Sequence, residues 1–306
     1  MLTFQPEGDT EWQMTYDENG NLISLTNSCG TITYTWYARN RLVGIEGYDA
    51  MCHTLSASFK YDALGRRIEK TINGRTIQYL YDGLDIVQEI EDGIVYANYI
   101  RTLNIDEPLA RMEADGTIRY YHADALGSII ALTDETGQIR TQYNYSPFGE
   151  TEIIGEMSDN PFQYTGREND NTGLYYYRAR YYSPGLKRFV SEDPIGLLGG
   201  DVNYYVYVWN GPINFFDSYG LLPMSKCKVK CITKFIFKTI WINKIAVFRT
   251  FECIQERAIP SKGRPTPAPP LDCYYRITTY LYKEAKKIKN EYFRCELECT
   301  MENVCG

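Results

Sequence analysis

The chain has 306 residues, 44% hydrophobic and 23% charged, with a net charge of −7. That length leaves room for two domains of about 100 to 200 residues each. No run approaches the ~18 uncharged apolar residues that a spanning helix needs, and Met1-Leu2-Thr3-Phe4-Gln5-Pro6-Glu7 has neither the basic flank nor the apolar centre of a secretory signal. Synthesis in the cytoplasm and export by a dedicated system are therefore expected.

Charge divides the chain more sharply than length does. Residues 1–221 hold 16 Lys and Arg against 31 Asp and Glu, a balance of −15, whereas residues 222–306 hold 16 against 8, a balance of +8. Such a contrast predicts halves that attract before separation, or a tail that meets an anionic partner; two well-solvated faces are the plainer alternative. Cysteine follows the same division. Cys29 and Cys52 are alone in the body, which reads as an ordinary reduced protein, while Cys227, Cys231, Cys253, Cys273, Cys295, Cys299 and Cys305 give the tail the density of a disulfide scaffold with one thiol left over.

From residue 1 to about 150 the sequence repeats at loose intervals. Tyr16-Asp17-Glu18-Asn19-Gly20-Asn21-Leu22 and Tyr61-Asp62-Ala63-Leu64-Gly65-Arg66-Arg67-Ile68 are close copies of one unit; Tyr81-Asp82-Gly83 and His122-Ala123-Asp124-Ala125-Leu126-Gly127 are weaker ones. In each, an alternating strand ends at an Asp that caps a turn through its side chain, and Gly supplies the positive φ the turn requires. The expected structure is a series of β-hairpins. The 23 tyrosines of the body suit it, because a strand Tyr buries its ring while its hydroxyl stays bonded at an edge.

Residues 151–221 form a second segment that ends in Tyr175-Tyr176-Tyr177-Arg178-Ala179-Arg180-Tyr181-Tyr182, Arg188-Phe189, Asp193-Pro194-Ile195-Gly196, Gly199-Gly200, Asn203-Tyr204, Tyr207-Val208, Asn210, Pro212, Asp217 and Gly220-Leu221. This series resembles the core signature of RHS (YD-repeat) proteins, bacterial repeat shells related to toxin-complex C components and polymorphic toxins. The resemblance covers roughly the first 220 residues and implies a mainly β fold, a fragment of a hollow hairpin shell. The repeats present are several times too few to close a shell, so a separately encoded shell or a secretion-system component is an expected partner.

Two carboxylates held close cannot both ionise comfortably; one keeps its proton while the other serves as base to a water. Asp193 and Asp217 are the candidates, and turn-capping is the alternative role for both. The resemblance implies that they cut the chain between Leu221 and Leu222, with Arg188 as a candidate orienting cation. One departure stands out: the family usually has Asp-Pro at the second acid, whereas Asp217-Ser218 restores a backbone N–H and is expected to loosen the turn.

Residues 222–306 read as a small helical, Cys-rich cargo domain. Lys226, Lys230, Lys234 and Lys238 recur every four residues with Ile232, Phe235, Ile236 and Ile240 opposite, which predicts a basic amphipathic helix; a second is expected from about Cys273 to Thr300. Packed antiparallel, these would pair Cys227 with Cys299 and Cys231 with Cys295; zinc is the rival use of the four thiols, disfavoured by the absence of close Cys spacing. No metal and no cofactor are expected. The tail lacks histidine, which excludes His-metal and Ser-His or Cys-His chemistry within it. The lysine stripe suggests an anionic target, a nucleic acid, with a membrane-active helical hairpin acting on a membrane surface as the alternative for the tail, and the resemblance adds an immunity protein as partner. A non-catalytic structural or cell-surface remnant is the alternative for the whole chain.

Overall fold

The computed structural model describes residues 2–4, 11–49, 51–224, 230–234 and 296–300. Met1–Met224 is one compact unit and Ser225–Gly306 another. The first contains an antiparallel sheet of 15 strands, from Leu2–Phe4 to Thr151–Gly155, each hydrogen-bonded to its neighbours in sequence, and a second sheet of four short strands from Glu168–Asn169 to Arg188–Phe189. The larger sheet thus continues past residue 150.

The hairpins close as the repeat unit predicts. Asp17, Asp62, Asp124 and Asp134 each accept the amide N–H groups two and four residues on, and Gly20, Gly65, Gly127 and Gly137 follow with φ between 73° and 87°. Beside these turns the strand register slips by one residue, as between Lys60 and Tyr61, which takes a carbonyl out of the regular ladder. The repeat aromatics supply the missing donors. Trp36 Nε1 donates to the Leu22 carbonyl, Tyr61 to that of Leu42, Tyr81 to that of Arg67 and Tyr145 to that of Ile129, at 2.6 to 2.8 Å. Trp36, Tyr61, Tyr81 and Tyr145 therefore each seal the irregularity of the hairpin before them.

Alternate residues of each strand face inward; along Thr54–Tyr61 these are Leu55, Ala57 and Phe59. The segment from Asn160 to Met224 packs on that face, with Leu174, Tyr176, Tyr181, Leu186 and Val190 against the first half of the sheet and Phe162 against the second. Polar anchors fix it. Arg67 and Asp170, neither exposed, form a two-pronged ion pair, and the Arg67 guanidinium lies 4.2 Å from the Tyr176 ring centre. Asp106, buried, is held down to about 2: burial pushes its pKa up, but the guanidinium groups of Arg167 and Arg178 outweigh it.

Three expectations need correction or revision. The body is not fully reduced, because Cys29 and Cys52 form a disulfide. Ser218 does not loosen its turn; it is buried, and its carbonyl accepts from Arg178. In the tail, Lys230–Lys234 and Glu296–Thr300 are antiparallel strands rather than helix, with Cys231 opposite Cys299 instead of Cys295. A period of four is even, so as a pattern it fits one face of a strand as well as one face of a helix. Lys226, Lys238, Cys227, Cys295 and the rest of both expected helices lie outside the described residues. Among the described residues, no helix is long and apolar enough to cross a membrane, and no cluster of three or more His, Cys, Asp or Glu is placed to hold a metal.

Candidate active site

The site is built on the hairpin of Tyr175–Tyr177 and Arg180–Ser183 and on the end of the body, Asp217 to Leu222. The tight turn of the hairpin grips that end at three successive carbonyls. Arg178 donates to Ser218, the Ala179 amide to Tyr219 at 3.1 Å, and Arg180 Nε to Gly220 at 2.6 Å. The approach is so close that a Cβ on Gly220 (φ 67°) would overlap the Tyr177 carbonyl. Only glycine fits both the left-handed turn and the contact.

Arg180 then joins the two acids. Its Nη2 lies 3.0 Å from Asp193 Oδ2 and 3.7 Å from Asp217 Oδ2, its Nη1 donates to the Tyr204 carbonyl at 3.0 Å, and its guanidinium covers the Phe189 ring at 3.7 Å. Asp217 is only 2% exposed. Its Oδ1 accepts the amides of Tyr219, Leu221 and Leu222 at 3.2, 3.0 and 3.3 Å. Burial pushes its pKa up to about 6, against the opposing pull of Arg180 and the three amides. Asp193 is shifted upward too, by burial, with Arg180 and the Ile195 amide acting the other way. Both acids cap turns and both meet at one cation, so capping and convergence are not exclusive.

A small cleft opens between them, lined also by Gly199, Tyr204, Trp209 and Leu221, with an inner volume of about 10 Å³, room for about one water. At Gly199 the walls come together: a Cβ there would lie 2.6 Å from Asp193 Oδ2 and 3.5 Å from the Leu221 carbonyl oxygen. On the other side Val208, Trp209 and Asn210 have φ of 41°, 53° and 57°. Three consecutive non-glycine residues in the left-handed region cost about 1–2 kcal/mol each, and a β-branched residue there is a marked outlier. Strain of this kind concentrates at functional sites.

Asp193, Asp217, Leu221 and Leu222 thus share one place. Arg188 does not join them; it stacks on Tyr205 at 4.2 Å, and Arg180 occupies the position expected of it. Sequence reasoning also passed over Trp209. The signal for Arg180 was its place inside a tyrosine strand, where a buried cation needs carboxylates nearby.

The profile of the Teneurin YD-shell family matches residues 48–198. The tRNA nuclease WapA of Bacillus subtilis is 37% identical over 219 residues, 68% of this chain and 9% of that protein. The double-stranded DNA deaminase toxin A of Burkholderia cenocepacia is 32% identical over 239 residues, 67% of this chain and 16% of its own length. The chain spans a small part of these curated relatives. In the crystal structure of TcdB2-TccC3, 14% of the solved chain superposes on 69% of this one with a TM-score of 0.51 at 22% identity, a likeness of fold. Repeat, core and relatives agree, and the chain belongs to the RHS (YD-repeat) family, related to toxin-complex C components and polymorphic toxins.

Proposed function

We propose that the body is a wall of a toxin-carrying shell that cuts its own chain between Leu221 and Leu222 and frees the basic tail as the effector. The observation that carries this reading is the position of Asp217: a carboxyl pushed to about 6 sits 3.3 Å from the Leu222 nitrogen, the group that must leave. Asp193, on the Leu221 carbonyl side of the cleft, serves as base. A water adds its oxygen to the Leu221 carbonyl carbon and yields a proton to Asp193. The carbon–nitrogen bond then breaks as Asp217 protonates the Leu222 nitrogen. The products are a Leu221 carboxyl group and a Leu222 amine; passage of the proton from Asp193 to Asp217 restores the pair. Arg180 keeps the ionised partner stable in a buried place and, with Arg178, holds the segment still.

The relatives support a cargo role for the tail, since proteins that share this body are named for different toxic activities, a tRNA nuclease and a DNA deaminase. We assign the tail an anionic target, with lysines including Lys230 and Lys234 as its contacts, an immunity protein in the producing cell, and a separate shell or secretion-system component as delivery partner. The test is the intact mass of the purified chain beside Asp193→Asn and Asp217→Asn. The wild type is expected to yield an 85-residue piece beginning at Leu222 while both variants stay whole. Three full-length chains would leave the body a structural or binding element.

A further inference from the structure

Among the polar groups lining the cleft that self-cleavage leaves unused, Trp209 is the one with a buried, unsatisfied donor. Trp209 Nε1 is buried and has no hydrogen-bond partner among the described residues. It lies against Gly200, where a Cβ would be 3.3 Å from it, while the adjoining Gly199 backs onto Asp193 and the Leu221 carbonyl. Gly199, Trp209, Asp193, Asp217 and Leu221 therefore line the same water-sized space.

An indole N–H is a donor only, and leaving it unpaired in a buried place is costly. The chain nevertheless takes up the left-handed turn at Val208-Trp209-Asn210 that holds the ring there, and Phe215 packs edge-on against it at 5.4 Å between ring centres. Arg180, which also lines the cleft, is engaged by two carboxylates and two carbonyls. A water entering the space would find acceptors at Asp193 and Asp217 and, in the indole, a buried donor that is not committed elsewhere.

We infer that Trp209 holds the hydrolytic water, its N–H donating to the water oxygen so that a water proton points to Asp193 and the oxygen faces the Leu221 carbonyl carbon. The inference rests on the self-cleavage reading and adds to it a residue in contact with the reacting atoms. In the bond-forming step the same N–H stays on that oxygen as it becomes part of the Leu221 carboxyl group. No proton moves to or from the indole.

Trp209→Phe keeps the ring and removes the donor. Its single-turnover cleavage rate, followed by intact mass, is expected to fall roughly 100-fold, the scale of losing one pre-organised donor, with the thermal midpoint unchanged; a rate within about twofold of wild type overturns the inference. A second measurement does not depend on cleavage or on that variant folding. In the Asp217→Asn chain labelled at its tryptophan indoles, the Trp209 N–H is expected to show cross-relaxation to a bound water. A folded chain in which that N–H sees no water overturns the inference by itself. If the wild type stays whole, the self-cleavage reading fails instead, and the water measurement still reports on the indole.

Discussion

Asp134 and Asp217 stand in turns of the same kind, and their pKa values are shifted in opposite directions. Each begins an Asp-x-x-Gly unit, and each accepts the amides two and four residues on. At Asp134, half-buried, the Thr136 hydroxyl, then Arg140 and the turn amides hold the carboxyl well below the usual range. At Asp217 the same amides are present, a third is added from Leu222, and burial still drives the pKa up to about 6. The site is therefore a repeat turn moved into the interior. What changes its chemistry is the loss of water around it, together with the absence of the hydroxyl and the close guanidinium that Asp134 keeps.

The glycines of the two turns give the largest expected contrast. Gly137→Ala meets nothing within 4 Å, so its cost is the left-handed backbone alone, about 1–2 kcal/mol. Gly220→Ala adds an overlap with the Tyr177 backbone and is expected to lose more than about 4 kcal/mol or to release the chain end from its clamp. Chemical denaturation of both variants reads the difference; equal costs would mean that the clamp is soft.

The carboxylates come next. The folded pKa of Asp217 lies above its unfolded value of 3.8, so its contribution is favourable below pH 3.8 and is lost as pH rises to about 6. At about 1.4 kcal/mol per unit this is about 3 kcal/mol. Asp217→Asn keeps the acceptor oxygen and loses the charge, so at pH 7 it is expected to be more stable than an uncleaved Asp217 chain by up to that amount. Asp134 runs the other way: its folded pKa is depressed, so its stabilisation is present above the unfolded value and lost as pH falls below it. Asp134→Asn should be neutral or slightly destabilising at pH 7. Denaturation midpoints measured in the uncleaved Asp193→Asn background check both signs, Asp217 between pH 4 and pH 7 and Asp134 between pH 4 and pH 2.5.

The smallest effect concerns the hairpin seals. Tyr81→Phe leaves the Arg67 carbonyl without its donor and is expected to cost about 1–3 kcal/mol. Tyr37→Phe, at an exposed ring, should cost nothing measurable. Thermal melts of the two would separate a structural repeat tyrosine from a solvent-facing one.

Much of this was legible in the chain. The Tyr-Asp-x-x-Gly units foretold the hairpins, because turn chemistry is local. Asp193 and Asp217 were marked by their places at strand ends. What could not be read depends on how distant segments meet. Arg180 reaches both acids only because the Arg180–Ser183 strand pairs beside them, whereas Arg188 turns toward Tyr205. Cys29 and Cys52 come to a Cα separation of 5.0 Å because the intervening hairpin returns the chain to its start. In the tail, a four-residue lysine period fits a strand face as well as a helix face, and sequence had no means of choosing.

The measurement that bears most directly on this account is a carboxyl-carbon NMR titration of the Asp193→Asn chain, which is expected to stay whole. The account predicts that Asp217 titrates near 6 while Asp134, in a turn of the same kind, titrates below 3.8. If Asp217 instead titrates with the repeat turns, burial has not made it an acid, and the cleft between Asp193 and Leu221 does not work as a protease.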